Sequence, residues 1–163
     1  MSFDQGNPGV LIIGRVCEDG LPSKGLVVTR TDVSAAGNVK LVDVDGETPF
    51  GVALQDTEDP LYPEATSTQY RTNQRVAIQR TGEVDCLVAN DNAEITIGGA
   101  VEGAIDDNSV EGVIQGLTIR TDTIANWAAD MNSLLGWAQE AYAASAGDGS
   151  TTRCRVLLDL RTG

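Results

Sequence analysis

Short apolar runs alternate along this chain with clusters of Gly, Asp, Asn and Thr. The run Pro49-Phe50-Gly51-Val52-Ala53-Leu54 shows the pattern most clearly. Phe50, Val52 and Leu54 alternate with Gly51 and Ala53, the period of two that a strand requires. Pro49 has no N–H for a sheet ladder, so it belongs at or just before the first residue of the strand. Gly51 and Ala53 leave room for a close neighbour on the second face. Further strands are predicted at 10–13, with Gly14 ending the run and 15–17 as a continuation, then at 26–29, 39–42, 75–80, 83–88, 101–105 and 153–160. Residues 110–118 carry two glycines, as a bulged strand does. Two turns look like hairpin signals, Glu18-Asp19-Gly20 and Thr81-Gly82. The acidic stretch 56–63 holds two prolines and reads as an exposed loop, and 66–73 as an edge strand.

Residues 121–146 admit two readings. Ile124, Trp127, Met131, Leu134, Leu135, Ala138 and Tyr142 fall at helical spacing, with Thr121 or Asp122 as N-cap. Pattern alone therefore gives one helix over about 123–145, bent near Gly136. An internal repeat gives a different answer. Gly25-Leu26-Val27 has a counterpart in Gly99-Ala100-Val101, and Asn38-Val39 in Ser109-Val110. Phe50-Gly51-Val52-Ala53-Leu54 matches Leu135-Gly136-Trp137-Ala138-Gln139, and Arg75-Val76-Ala77-Ile78 matches Arg155-Val156-Leu157-Leu158. Short Gly/Val motifs also recur by chance in a chain with 18 glycines. If the repeat holds, 134–139 is a strand and the helix is confined to 121–133, which is the preferred reading. The expected fold is then mainly β: a compact antiparallel barrel or sandwich of two similar halves, with one short helical segment near 121–133. Residues 1–9 are expected to form a flexible arm and 10–163 a single β-rich domain, with the pseudo-repeat at about 14–88 and 95–160.

Composition narrows the function classes. The chain has 163 residues, 24 Asp and Glu, 11 Lys and Arg, no His and a formal net charge of −13. Nucleic-acid binding through phosphates needs clustered Lys and Arg, and an anionic membrane surface repels such a chain, so neither is expected as a partner. The acidity is either a solvated surface or an adaptation to high salt, where self-repulsion is screened. The scarcity of Lys (only Lys24 and Lys40) favours the second. No secretory signal is recognised at the N-terminus, and no apolar run is long enough to span a bilayer. Cys17, Cys86 and Cys154 are far apart, without metal-site spacing, and read as buried free thiols.

A catalytic reading fails at the inventory of side chains. Without His the commonest general base is missing, and there is no G-x-S-x-G elbow, phosphate loop or dinucleotide fingerprint. No enzyme activity, cofactor or metal is expected. Asp43, Asp45 and Glu47, and likewise Asp56, Glu58 and Asp59, have the alternation of a hard-cation site, but they read more simply as hydrated turns.

The succession Gly-x-Val, a polar loop with Asn38-Val39, Pro49-Phe50-Gly51-Val52-Ala53-Leu54 and Thr81-Gly82-Glu83-Val84 resembles the capsid decoration (cement) proteins of tailed double-stranded DNA viruses. Leu135-Gly136-Trp137-Ala138-Gln139-Glu140-Ala141, Ala146-Gly147-Asp148-Gly149 and Arg155-Val156-Leu157-Leu158 resemble that family's closing pattern. Residues 56–73 and 117–133 look like insertions. The resemblance implies a β-barrel-like virion protein on the outer capsid surface, commonly a homotrimer, that bridges major capsid protein subunits and has no catalytic residues. With the acidic composition, it points to a virus of a halophilic host. The candidate interface comprises Trp127, Met131 and Leu134, if they are not core, with Phe3 in the arm and Tyr62 in the acidic loop. The alternative function is a virion- or cell-surface module that recognises a receptor or glycan.

Overall fold

The computed structural model describes residues 10–31, 37–57, 70–90, 94–106, 108–142 and 152–160. Among these lie the strands β1 (Leu11–Cys17), β2 (Val27–Arg30), β3 (Val39–Leu41), β4 (Pro49–Ala53), β5 (Gln74–Leu87), β6 (Ala100–Ile105) and β7 (Glu111–Gly116). The helix α1 (Ile124–Ser133) follows, then β8 (Leu134–Ala138) and β9 (Arg153–Asp159). One sheet joins the strands in the order β1-β3-β2-β4-β5-β9-β8-β6-β7, and a further pairing of β1 with β5 closes the first five into a barrel. The fold is mainly β, as expected, with two similar halves and one short helix. The order β3-β2-β4-β5 in one half is repeated as β7-β6-β8-β9 in the other. The segments matched in sequence are thus β2 with β6, β3 with β7, β4 with β8 and β5 with β9.

The two halves meet through β5. Its first part pairs with β1 and β4, and from Thr81 to Leu87 it pairs with β9. The hairpin expected at Thr81-Gly82 does not exist, because β5 runs unbroken through it. Gly82 has φ +87, a conformation that glycine adopts without strain. Here the Thr-Gly step marks a change of partner rather than a reversal of the chain. The second expected hairpin also fails: β1 and β2 are not paired. Glu18 N–H donates to the Val39 carbonyl (2.9 Å) and the Asp19 carboxylate accepts from Leu41 N–H (2.9 Å), so this turn is tied to β3. Gly14 does not end β1, which continues to Cys17.

β4 starts at Pro49, as predicted, but all five of its residues are buried. The apolar/small alternation therefore reflects a near and a far neighbour, not an inside and an outside. A Cβ on Gly51 would lie 2.5 Å from Ile78 Cγ2 and 2.6 Å from the Gln79 carbonyl oxygen. Gly136, its counterpart in β8, sits against the Leu157 carbonyl in the same way. Both positions let neighbouring backbone approach too closely for any side chain. Val27, Val28, Val52, Ile78, Val101, Ile114, Leu135 and Leu158 are among the core residues, so the interior is mainly aliphatic, with Phe50 as an aromatic member.

The single-helix reading of 123–145 is excluded: α1 ends at Ser133 and β8 begins at the next residue. Leu135 and Ala138 are buried there, and β8 pairs with β6 and β9. Sheet pairing and core burial outweigh helical spacing. The N-cap is Thr123, whose Oγ1 accepts from Asn126 N–H at 3.1 Å, rather than Thr121 or Asp122. Of the predicted 56–63 loop and 66–73 edge strand, residues 58–69 lie outside the described residues. Thr57 is buried, with Oγ1 accepting from Leu21 N–H at 2.7 Å.

Candidate docking surface

Helix α1 is oriented against the usual rule. Its buried residues are the polar Asp130 and Ser133. Ser133 Oγ donates to the Asp130 carbonyl at 2.9 Å. Arg120, just before the helix, clasps the Asp130 carboxylate: Nε to Oδ2 at 2.9 Å, Nη2 to Oδ1 at 2.9 Å, and backbone N–H to Oδ2 at 2.8 Å. Asn126 Nδ2 also donates to the Asp122 carboxylate, at 2.9 Å to Oδ2. Arg120 and Asp122 thus bind the polar side of the helix to the segment that leads into it. The apolar residues of α1 face solvent: Ile124 is 86% exposed, Trp127 47% and Met131 37%. Their spacing of three and seven residues puts them on one face. Surface helices of folded domains normally turn such a stripe inward. A grouped set of exposed large apolar side chains marks a contact surface.

Of the expected interface residues, Trp127 and Met131 are exposed on this face and Leu134 is half-buried. Phe3 and Tyr62 lie outside the described residues. Ile124 belongs to the same face, and its spacing was the signal that could have found it. Trp137 and Leu157 are cross-strand partners in β8 and β9, and both remain substantially exposed. Nothing in their local sequence distinguishes them from core residues.

The acidic turn 43–47 is a self-contained polar cluster. Lys40 Nζ pairs with Asp43 Oδ1 (2.9 Å) and Glu47 Oε1 (3.5 Å), and Asp45 Oδ1 accepts from Ile105 N–H (3.0 Å). The hydrogen bond from Lys40 holds the Asp43 carboxyl below its ordinary range. Among the described residues no group of three or more Cys, Asp or Glu is arranged to hold a metal ion. Arg153 lines a cleft with Lys24, Gly25, Ala53, Leu54, Val84 and Asp85, and its guanidinium is engaged by the Lys24 carbonyl and Ser23 Oγ, both at 2.8 Å. All three cysteines are buried free thiols.

No protein family matches the chain, and no curated protein matches it. Solved structures that resemble the chain include these two. One is a chain from the capsid of Myoviridae phage XM1, with a TM-score of 0.51 and 17% identity over 97% of this chain and 88% of that one. The other is the N base of head fiber gp8.5 of bacteriophage phi29, with a TM-score of 0.48 and 10% identity over 92% of this chain and 94% of that one.

Proposed function

We propose that this chain is a structural protein of a tailed-virus head that decorates the outer capsid surface and stabilises the shell by bridging major capsid protein subunits. The observation that carries this reading is the outward apolar face of α1, Ile124, Trp127 and Met131, with the polar Asp130 and Ser133 as the buried residues of the helix. The fold shared with a chain of the phage XM1 capsid supports the setting. Its role is adhesion rather than catalysis, without cofactor, nucleic acid or membrane as partner.

The physical basis of such cementing is multivalency. Each copy makes a modest contact, and a homotrimer linked through several contacts to one lattice dissociates far more slowly than any single contact would. The net charge of −13 suits a halophilic host, because the Debye length falls to about 3 Å at 1 M salt and like charges then cease to repel. The decisive experiment strips the protein from particles and adds it back. Restored resistance of the shell to heat or low salt is expected. Particles no more resistant after add-back would end the cementing reading, and glycan-array binding lost on Trp127→Ala would put a receptor-binding module in its place.

A further inference from the structure

One end of the barrel gathers three of the chain's 11 basic residues. Arg15 from β1, Arg30 from the end of β2 and Arg80 from the middle of β5 surround the ring of Phe50, their guanidinium carbons 5.6, 5.3 and 4.4 Å from its centroid. The strand register brings them together. Val28 is paired with Gly51 and Thr29 with Pro49, so Phe50 is the unopposed residue of a β-bulge. Bulges re-aim side chains in this way.

Arg80 is 5% exposed. Its Nε donates to the Phe50 carbonyl at 2.9 Å, but its Nη2 is buried with no hydrogen-bond partner. Stacking on Phe50 covers the face of the guanidinium, whereas the N–H donors point outward in its plane. The ring therefore cannot satisfy Nη2. Arg15 donates through Nη1 to the Gly14 carbonyl at 2.9 Å. Among the described residues no carboxylate pairs with Arg15 or Arg80, although the chain carries 24 acids. Arg30 has a further interaction of its own, and nothing here depends on its being free. Burial, and then the positive charges of Arg30 and Arg15, push the Arg80 guanidinium toward losing its proton. A bound negative charge would offset the like charges and give the buried Nη2 a partner.

We propose that this end of the barrel is a receptor for one small oxyanion, of carboxylate or phosphate class, held between Arg15 and the buried edge of Arg80 beside Phe50. Planar guanidinium forks suit oxyanions and give charge-assisted bonds. A polyanion is a poor candidate, since the chain's net charge repels it at long range. The half-buried Arg15 has a long side chain that can turn aside to admit a small ion.

The test is titration of the full chain with sodium phosphate and, separately, sodium acetate, at ionic strength held constant with sodium chloride. The readout is the arginine Nε–H NMR signals. A saturable shift of the Arg80 signal with either anion supports the site, and the stronger of the two identifies carboxylate or phosphate as the natural class. Arg15→Gln, at a partly exposed position, is expected to weaken binding about tenfold, the worth of one charge-assisted hydrogen bond. Arg80→Lys should do the same. Arg155→Gln, on the solvent side of β9, should leave binding unchanged. No saturable shift with either anion, or an equal loss in Arg155→Gln, would overturn the proposal.

Discussion

Arg120 and Asp130 form a bidentate pair, Nε to Oδ2 and Nη2 to Oδ1, both at 2.9 Å, and this pair ties the polar side of α1 to the segment just before it. The Arg120 guanidinium, then its backbone N–H, hold the Asp130 carboxyl below the usual range. A carboxyl lowered in the folded state stabilises at neutral pH and loses that contribution as pH falls through its folded value. Acidification below about pH 4 should therefore loosen α1 before the barrel. Hydrogen exchange or helix-specific NMR signals would check this. Asp130→Asn should bring the loosening to neutral pH. If α1 stays as protected as β5 in that variant, the pair does not anchor the helix.

Gly51 and Gly136 predict a matched pair of packing defects. Gly51→Ala places a methyl 2.6 Å from the Gln79 carbonyl oxygen, and Gly136→Ala places one on the Leu157 carbonyl. Backbone must move in each case, at about 1–3 kcal/mol. Denaturant unfolding should show both losses. A neutral result for either would mean that the strands there can separate freely.

Phe50 is 3% exposed and is the aromatic centre of three cations. Phe50→Ala should cost about 3–5 kcal/mol, with a matching fall in Tm. Phe50→Leu keeps most of the apolar volume and removes the ring, so a loss there well above about 1.5 kcal/mol would report the cation–ring contacts. A smaller loss would show that those contacts contribute little.

Burial pushes the Cys17 thiol up to about 11. At pH 8 it is therefore protonated and shielded, and the thiolate is the reactive form. Alkylation of the native protein at pH 8 should be far slower than of the unfolded chain. Cys86 and Cys154 are also pushed up by burial and should behave alike. Rapid native labelling at any of the three would show that its strand opens.

The strands were largely legible because alternation and turn residues report local geometry, and the repeat correctly turned Leu134–Ala138 into a strand against its helical spacing. Partnership was not legible. Thr81-Gly82 looks the same whether the chain reverses or passes from one half to the other, and only the pairing of β5 with β9 separates the two. The arginines at Phe50 come from three different strands, with no shared motif to betray them. The stripe Ile124, Trp127 and Met131 was readable as a stripe, yet its direction was not. A helix with its apolar face in or out has the same periodicity, and only the burial of Asp130 and Ser133 shows which way this one faces.

That direction gives the last prediction. If the apolar face of α1 is a contact surface rather than core, polar replacements there should spare the fold. Ile124→Ser should alter stability by no more than about 0.5 kcal/mol, whereas Trp127→Ser and Met131→Ser, 47% and 37% exposed, should each cost about 1–2 kcal/mol for the part that is covered, without unfolding the barrel. The triple variant should lose most of its retention on stripped particles, since one weakened contact is multiplied across every copy on the lattice. Calorimetry and co-sedimentation of the same preparation separate the two effects. A variant that unfolds would return these side chains to the core. One that folds and still coats particles like the wild type would move the contact elsewhere, with Trp137 and Leu157 on the β8–β9 face as the next place to cut.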